Sequence, residues 1–258
     1  MFISHDVSGR GDPIIFIHGV GSRKSSWNPI KEKLNNQYRC VSYDLRGHGE
    51  SPLPKDNIFF LNDLVDDLEQ LRLQLDLNKI HLVGHSLGGQ IGPAYAKKYP
   101  ENVLTLTMLS TAAFRTDSEK QKIYDLIHIM KTKGLDEVLP TLISRWYTDN
   151  FEKENPQFVA NRIKMIQEME LETFCQVFWI YADCMMENWI HEIKIPTLVM
   201  TGENDLSCNP RINKMIVEAM PNARLEILQD LRHSITGEKP DLVAIKIRNF
   251  YEEVENAK

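Results

Sequence analysis

The sequence predicts an α/β fold: a mostly parallel, twisted sheet flanked by helices and interrupted by a helical insertion. Three observations carry this. Short β-branched runs alternate with longer helical patterns through the first 111 residues, the order that builds a parallel sheet with helices on both faces. Between 112 and 194 only helical patterns rich in Met and aromatics are found, and the strand signal resumes at 195. A serine bracketed by glycines, Gly84-His85-Ser86-Leu87-Gly88-Gly89, falls where a strand-like run meets a helical one.

Along the chain, 13–17 and 39–43 are short apolar runs that predict buried strands. Residues 25–35 predict a helix. So, more clearly, do 61–75, with Leu61, Leu64, Val65, Leu68, Leu71 and Leu75 at helical spacing and acidic residues opposite. A strand at 79–83, a helix at 90–99 and a strand at 103–109 complete the first half. In the insertion, Gly134, Pro140 and Pro156 divide the chain into about four helices. Then come a strand from Ile195 to Met200, a helix at 209–220, a strand at 223–228 and a last helix at 239–254. The predicted organisation is therefore a core of 1–111 with 195–258, and a helical cap of 112–194 inserted above the sheet edge where open α/β sheets place their ligands.

Bulk properties narrow the function classes. The 258 residues suffice for one substantial core, and 42% hydrophobic with 26% charged residues is ordinary for a globular chain. A net charge of −6 argues against nucleic acid and anionic membrane surfaces as partners. The N-terminus lacks a basic segment followed by an apolar one, and no apolar run is long enough to span a bilayer. Cys40, Cys175, Cys184 and Cys208 form no metal-type spacing and read as free thiols of a reducing, cytoplasmic compartment. Homo-oligomerisation is left open.

The chemistry starts at Ser86. The Gly84-x-Ser86-x-Gly88 pattern between strand and helix is that of a nucleophile elbow, a turn so sharp that bulkier neighbours do not fit. A serine hydroxyl needs a base to take its proton and an acid to orient that base. Asp205 leaves the strand ending near Thr201, and His233 follows the strand ending at Leu228. The order Ser, Asp, His and the placement after strands make Ser86, Asp205 and His233 the predicted triad. Glu203 is the competing acid, and Asp230 lies too close in sequence to His233 to orient it. The oxyanion of a tetrahedral intermediate needs N–H donors. Leu87, directly after the serine, predicts one, and Val20 in Phe16-Ile17-His18-Gly19-Val20-Gly21 predicts the other.

The remaining histidines carry less. His81 and His85 are four apart but fall on a strand and its turn, so they do not share a face and no metal site is expected. His48, in Asp44-Leu45-Arg46-Gly47-His48-Gly49, predicts packing of a polar turn.

With His18-Gly19, the 44–51 stretch DLRGHGES, the elbow GHSLGG, Asp205 and His233 in order, the chain resembles the α/β-hydrolase superfamily from end to end. Leu109-Ser110-Thr111-Ala112-Ala113 and Ser144-Arg145-Trp146-Tyr147-Thr148 are similar to the 3-oxoadipate enol-lactonase branch. The elbow's His85 and Leu87 and the segment Leu231-Arg232-His233-Ser234 depart from it. The resemblance implies hydrolysis of a small carboxylic ester or lactone without metal or organic cofactor. Cleavage of a C–C bond or perhydrolysis could use the same triad, and some members of the fold act as ligand receptors. Arg145, Trp146 and Trp179 are the expected pocket residues, Arg162 sharing with Arg145 the expectation of holding a substrate carboxylate.

Overall fold

The computed structural model describes residues 3–53 and 58–257. Residues 1–2, 54–57 and 258, all within the predicted core segments, lie outside that set. Seven strands form one sheet in the order β1-β3-β2-β4-β5-β6-β7. They are β1 (His5–Ser8), β2 (Pro13–Ile17), β3 (Arg39–Tyr43), β4 (Ile80–His85), β5 (Val103–Leu109), β6 (Thr197–Gly202) and β7 (Ala223–Leu228). Only β1 is antiparallel, pairing its His5 with Tyr43 of β3. The others run parallel, with Ile14 of β2 opposite Cys40 on one side and His81 on the other.

That order places the site. The chain leaves β2 toward β3 and then returns past β2 to lay down β4 on its other side. The loops at the ends of β2 and β4 therefore diverge, opening a crevice at the carboxyl edge of the sheet.

Alternation along the strands fills two cores. Ile14, Phe16, Val83 and Leu109 face α1 (Asn28–Leu34) and α11 (Pro240–Asn256), which supply Ile30, Leu34, Val243 and Ile247. Ile15, Ile17 and Leu82 face the opposite side, against α2 (Leu61–Gln74), α3 (Gly88–Lys98) and α9 (Pro210–Ala219). Each fully buried apolar side chain of this kind contributes about 1.5–3 kcal/mol relative to exposure. The second core continues into the segment between β5 and β6, through Met130, Ile166, Phe174 and Val177. That segment holds α4 (Asp117–Lys133), α5 (Leu139–Trp146), α6 (Asp149–Glu154), α7 (Pro156–Gln167) and α8 (Leu171–Asp183). The short α10 (Ile235–Glu238) precedes α11.

Several elements differ from the sequence reading. β1 was not expected: His-Asp-Val-Ser has no alternation, and Val7 is 44% exposed. A four-residue edge strand of this kind is held by its backbone pairing rather than by an apolar face. The segment between β5 and β6 has five α-helices instead of four. Breaks away from the expected positions come at 168–170 and at Tyr147-Thr148, where Tyr147 turns extended and the Thr148 hydroxyl caps α6 by accepting from Phe151 N–H. The helix expected from 25 begins as a 3-10 turn, Lys24–Trp27, because Pro29 can occupy only the first turn of α1. β4 extends two residues past Val83, carrying Gly84 and His85 to the edge of the elbow.

Candidate active site

Ser86 follows β4 with φ of 56°, in the left-handed region, a conformation that costs a non-glycine residue on the order of 1–3 kcal/mol. Close approach explains the flanking glycines. A Cβ on Gly84 would lie 2.1 Å from the Gly88 carbonyl oxygen, and one on Gly88 would lie 2.1 Å from that of Ile17. The start of α3 thus sits tightly behind the turn, and Ser86 N–H donates to Leu109 O at 2.9 Å, tying the turn to β5. The serine is buried, at 7% exposure, but lines the cavity.

The loops after β6 and β7 bring Asp205 and His233 together. Asp205 Oδ2 accepts from His233 Nδ1 at 2.8 Å, and Oδ1 accepts from Ser207 N–H and Cys208 N–H, each at 2.8 Å. Burial works against the charged form of His233, but the Asp205 carboxylate outweighs it by charge and hydrogen bond, with Cys208 adding to the effect, and holds the imidazole above its ordinary range. Burial likewise opposes ionisation of Asp205. The facing imidazole and the two backbone donors prevail and hold its carboxyl below the usual value. Glu203, the competing acid, is exposed at the surface, where it accepts from Asp230 N–H.

The loop after β2 lies over the elbow. A Cβ on Gly19 would be 3.0 Å from Ser86 Cβ. Two buried histidines fix this loop. Leu45 N–H donates to His18 Nε2 at 3.0 Å, so His18 Nδ1–H donates to Gly19 O at 2.8 Å. Gly21 N–H donates to His48 Nε2 at 3.2 Å, so His48 Nδ1–H faces Arg46 O. Burial pushes both imidazoles down to about 3, which keeps each Nε2 an acceptor. None of these bonds uses the N–H of Val20 or of Leu87. The role of His48 thus exceeds packing of its own turn: it clasps the DLRGHGES turn to the β2 loop. His85 reaches away from His81, its Nε2–H donating to His233 O at 3.0 Å, while His81 meets Thr105 Oγ1 and stacks on Tyr251.

A cavity of about 430 Å³ opens above Ser86. Its floor is His18, Gly19, Val20, His85, Ser86 and His233, and the helices between β5 and β6 form much of its other wall. Arg145 and Trp146 line it. Trp179 does not: it sits 38% exposed on the outer face of α8, its ring 4.8 Å from that of Tyr124. Helical periodicity turns Phe178 and Tyr181 to the cavity instead. Arg162 lies over the Trp146 ring at 5.0 Å and donates to Val20 O at 2.8 Å and to Gly21 O.

Arg115, weakly marked in the sequence, follows the β5 loop and lines the cavity at 8% exposure. A charged residue closing the apolar run Ala112-Ala113-Phe114 was its only signal. A metal-type grouping exists within the site: Asp205, Cys208 and His233 each offer one ligating atom within 4.8 Å of the others. Its Asp205 oxygens are already engaged by His233 and two backbone N–H groups. All four cysteines are buried and free. Among the described residues no helix is long and apolar enough to cross a membrane.

The sequence is similar over 238 residues to an (E)-2-((N-methylformamido)methylene)succinate hydrolase of Acinetobacter baylyi, with 24% identity across 91% of this chain and 88% of the relative. A 3-oxoadipate enol-lactonase of the same organism is also 24% identical, covering 84% of this chain and 80% of its own length. The crystal structure of an enol-lactonase from Burkholderia xenovorans superposes with a TM-score of 0.89 at 22% identity, covering 97% of this chain and 96% of that one. The sequence profile of the alpha/beta hydrolase fold matches residues 12–240, and on that match the chain belongs to the α/β-hydrolase family.

Proposed function

We propose that this protein is a serine hydrolase that cleaves a carboxylic ester or lactone through an acyl-enzyme. The observation that carries the reading is the buried Asp205–His233 pair, delivered by two separate loops to the cavity that also holds Ser86 on its left-handed turn. Asp205 accepts the Nδ1 proton and so leaves Nε2 as the nitrogen able to take the proton of Ser86. The serine oxygen then attacks the carbonyl carbon, and the developing oxyanion is held by the N–H groups of Val20 and Leu87. Leu87 lies at the N-terminus of α3, whose dipole favours that charge. The imidazolium next gives its proton to the leaving oxygen, and a water activated by the same histidine releases the acid.

Residues 112–194 act in this reading as a lid that shapes the pocket and excludes bulk water. The name of the similar 3-oxoadipate enol-lactonase supports a small lactone substrate. The test is turnover of short 4-nitrophenyl esters. Ser86→Ala should lose at least a thousandfold in kcat, and equal rates for variant and wild type would overturn the assignment. Asp205→Asn should be strongly impaired and Glu203→Gln near wild type; the reverse would mean the wrong carboxylate has been chosen.

A further inference from the structure

The loop that carries Val20 is held by the core on one side and by α7 on the other. Peptide units are planar, so hydrogen bonds to a unit's carbonyl or N–H fix where its other polar atom points. In the Gly19–Val20 unit, Gly19 O accepts from His18 Nδ1–H at 2.8 Å and from Ser22 N–H at 3.2 Å. The Val20–Gly21 unit is held at both ends. Its Gly21 N–H donates to His48 Nε2 at 3.2 Å, and its Val20 O accepts from Arg162 Nη2 at 2.8 Å. In the third unit, Gly21 O accepts from Arg162 Nη1. Val20 N–H takes no part in these bonds, and the two carbonyls that follow it belong to Arg162.

Of these partners only Arg162 comes from the helices between β5 and β6. Its planar fork presents two donors at once to neighbouring carbonyls, and bonds from a charged donor are roughly twice as strong as neutral ones. The guanidinium rests on the Trp146 ring at 5.0 Å, which limits its tilt. Gly21 is left-handed, with φ of 62°. A Cβ there would lie 2.7 Å from the Phe174 ring and 3.1 Å from Ile166 of α7, so the loop and the helices meet without room for a side chain. Glu168, at the end of α7, pairs with Arg23 of the same loop. Because α7 itself buries only Val159 and Ile166, its apolar hold on the floor is small and these polar ties matter the more.

We propose that Arg162 is a positioning residue for the oxyanion site: by clamping Val20 O and Gly21 O it aims Val20 N–H above Ser86, so the site is complete only while α7 is docked. This rests on the hydrolase reading of Ser86 and on Val20 as an oxyanion donor. The donor counts once the carbonyl becomes tetrahedral, so losing its aim should lower kcat and leave KM nearly unchanged. Removing such a donor outright costs about a hundredfold to a thousandfold in kcat, and misaiming it should cost at least tenfold.

The test uses 4-nitrophenyl butyrate for turnover and 1,1,1-trifluoro-2-octanone as a tetrahedral mimic. The Ser86 oxygen bonds to the trifluoromethyl ketone carbon, its proton passes to His233, and the carbonyl π pair moves onto oxygen as the oxyanion. Arg162→Met keeps apolar cover on Trp146 and removes both donors. It should lower kcat at least tenfold, raise the Ki of the trifluoroketone at least tenfold and leave KM within threefold. Arg162→Lys, whose ammonium can still meet the carbonyls, should recover at least threefold in both kcat and Ki. The proposal is overturned by a methionine variant with wild-type kcat or Ki, by one whose KM rises as much as its Ki, or by a lysine variant no better than methionine. Ser86→Ala keeps the two readings apart. Should it hydrolyse the ester and bind the trifluoroketone as wild type does, the hydrolase reading falls and takes this proposal with it. Should both depend on Ser86 while Arg162→Met matches wild type, only the role of Arg162 falls.

Discussion

Four histidines line or support the cavity floor, and their surroundings give them opposite protonation behaviour. Burial pushes His18, His48 and His85 down to about 3, so they stay neutral across the working pH range and serve as fixed donors and acceptors. His233 alone faces a carboxylate, and Asp205 lifts it above the ordinary imidazole value despite its burial. In the proposed mechanism His233 must be unprotonated before it can take the Ser86 proton, so activity should be lost as pH falls through its folded-state pKa. Because that pKa is raised, the acid limb of kcat/KM should lie above about pH 6.5. Asp205→Asn removes the opposing charge and leaves the burial effect unbalanced, so the limb should move to lower pH. The plateau should fall by about three to four orders of magnitude, since the histidine tautomer is no longer enforced. A pH–rate profile of both proteins checks this; a limb unmoved by Asp205→Asn would mean that another group titrates.

At the scale of elements, the junction of α5 and α6 is fastened to the loop that carries His233. Arg232 Nη1 donates to Ser144 O, Tyr147 O and Asp149 Oδ1 at 2.7–2.8 Å. Ser234 N–H donates to Trp146 O at 2.8 Å, and the Thr148 hydroxyl donates to Glu238. Arg232→Ala should therefore misplace the imidazole more than it weakens substrate binding. We expect kcat to fall about tenfold or more with KM changed less than threefold, and stability to drop by about 1–3 kcal/mol; a loss confined to KM would contradict the fastening. Such ties explain what the sequence could and could not convey. The placement of Ser86, Asp205 and His233 was legible because each follows a readable strand, largely apolar in β4 and β6 and alternating apolar with charged in β7, and strand order then brings their loops together. Arg232, His48 and Arg115 act through contacts 27 to 88 residues away in sequence, for which periodicity carries no signal. Trp179 was misassigned for a related reason. An aromatic stripe marks an amphipathic helix, but not which of its neighbours faces a cavity.

For the molecule as a whole, the site sits between central strands buried on both faces and a set of helices of uneven burial, α8 with eight of thirteen residues buried and α5 with four of eight. β4 has five of six residues buried, and α3 behind it has eight of eleven. In contrast α6 buries none and α7 only Val159 and Ile166. Local opening free energy follows buried contacts, so the fold should divide into a rigid floor holding Ser86 and a more easily opened stretch of wall, α6 and α7, holding Arg162. Such a division suits the proposed hydrolase reading, in which the strained serine needs a stiff support while substrate enters past the wall. Native-state hydrogen exchange measures the division directly. Amides of Ile14–Ile17 and Leu82–Gly84 should exchange only by global unfolding, with the full denaturant dependence. Amides of α6 and α7 should exchange at least a hundredfold faster with a smaller dependence, and those of the edge strand β1 should fall between. Ligand bound in the cavity should slow α7, through Arg162 and Asn161 at its lining, and leave β4 unchanged. If α7 exchanges as slowly as β4 in the free protein, wall and floor open as one unit, and substrate entry must use an opening that does not move these helices.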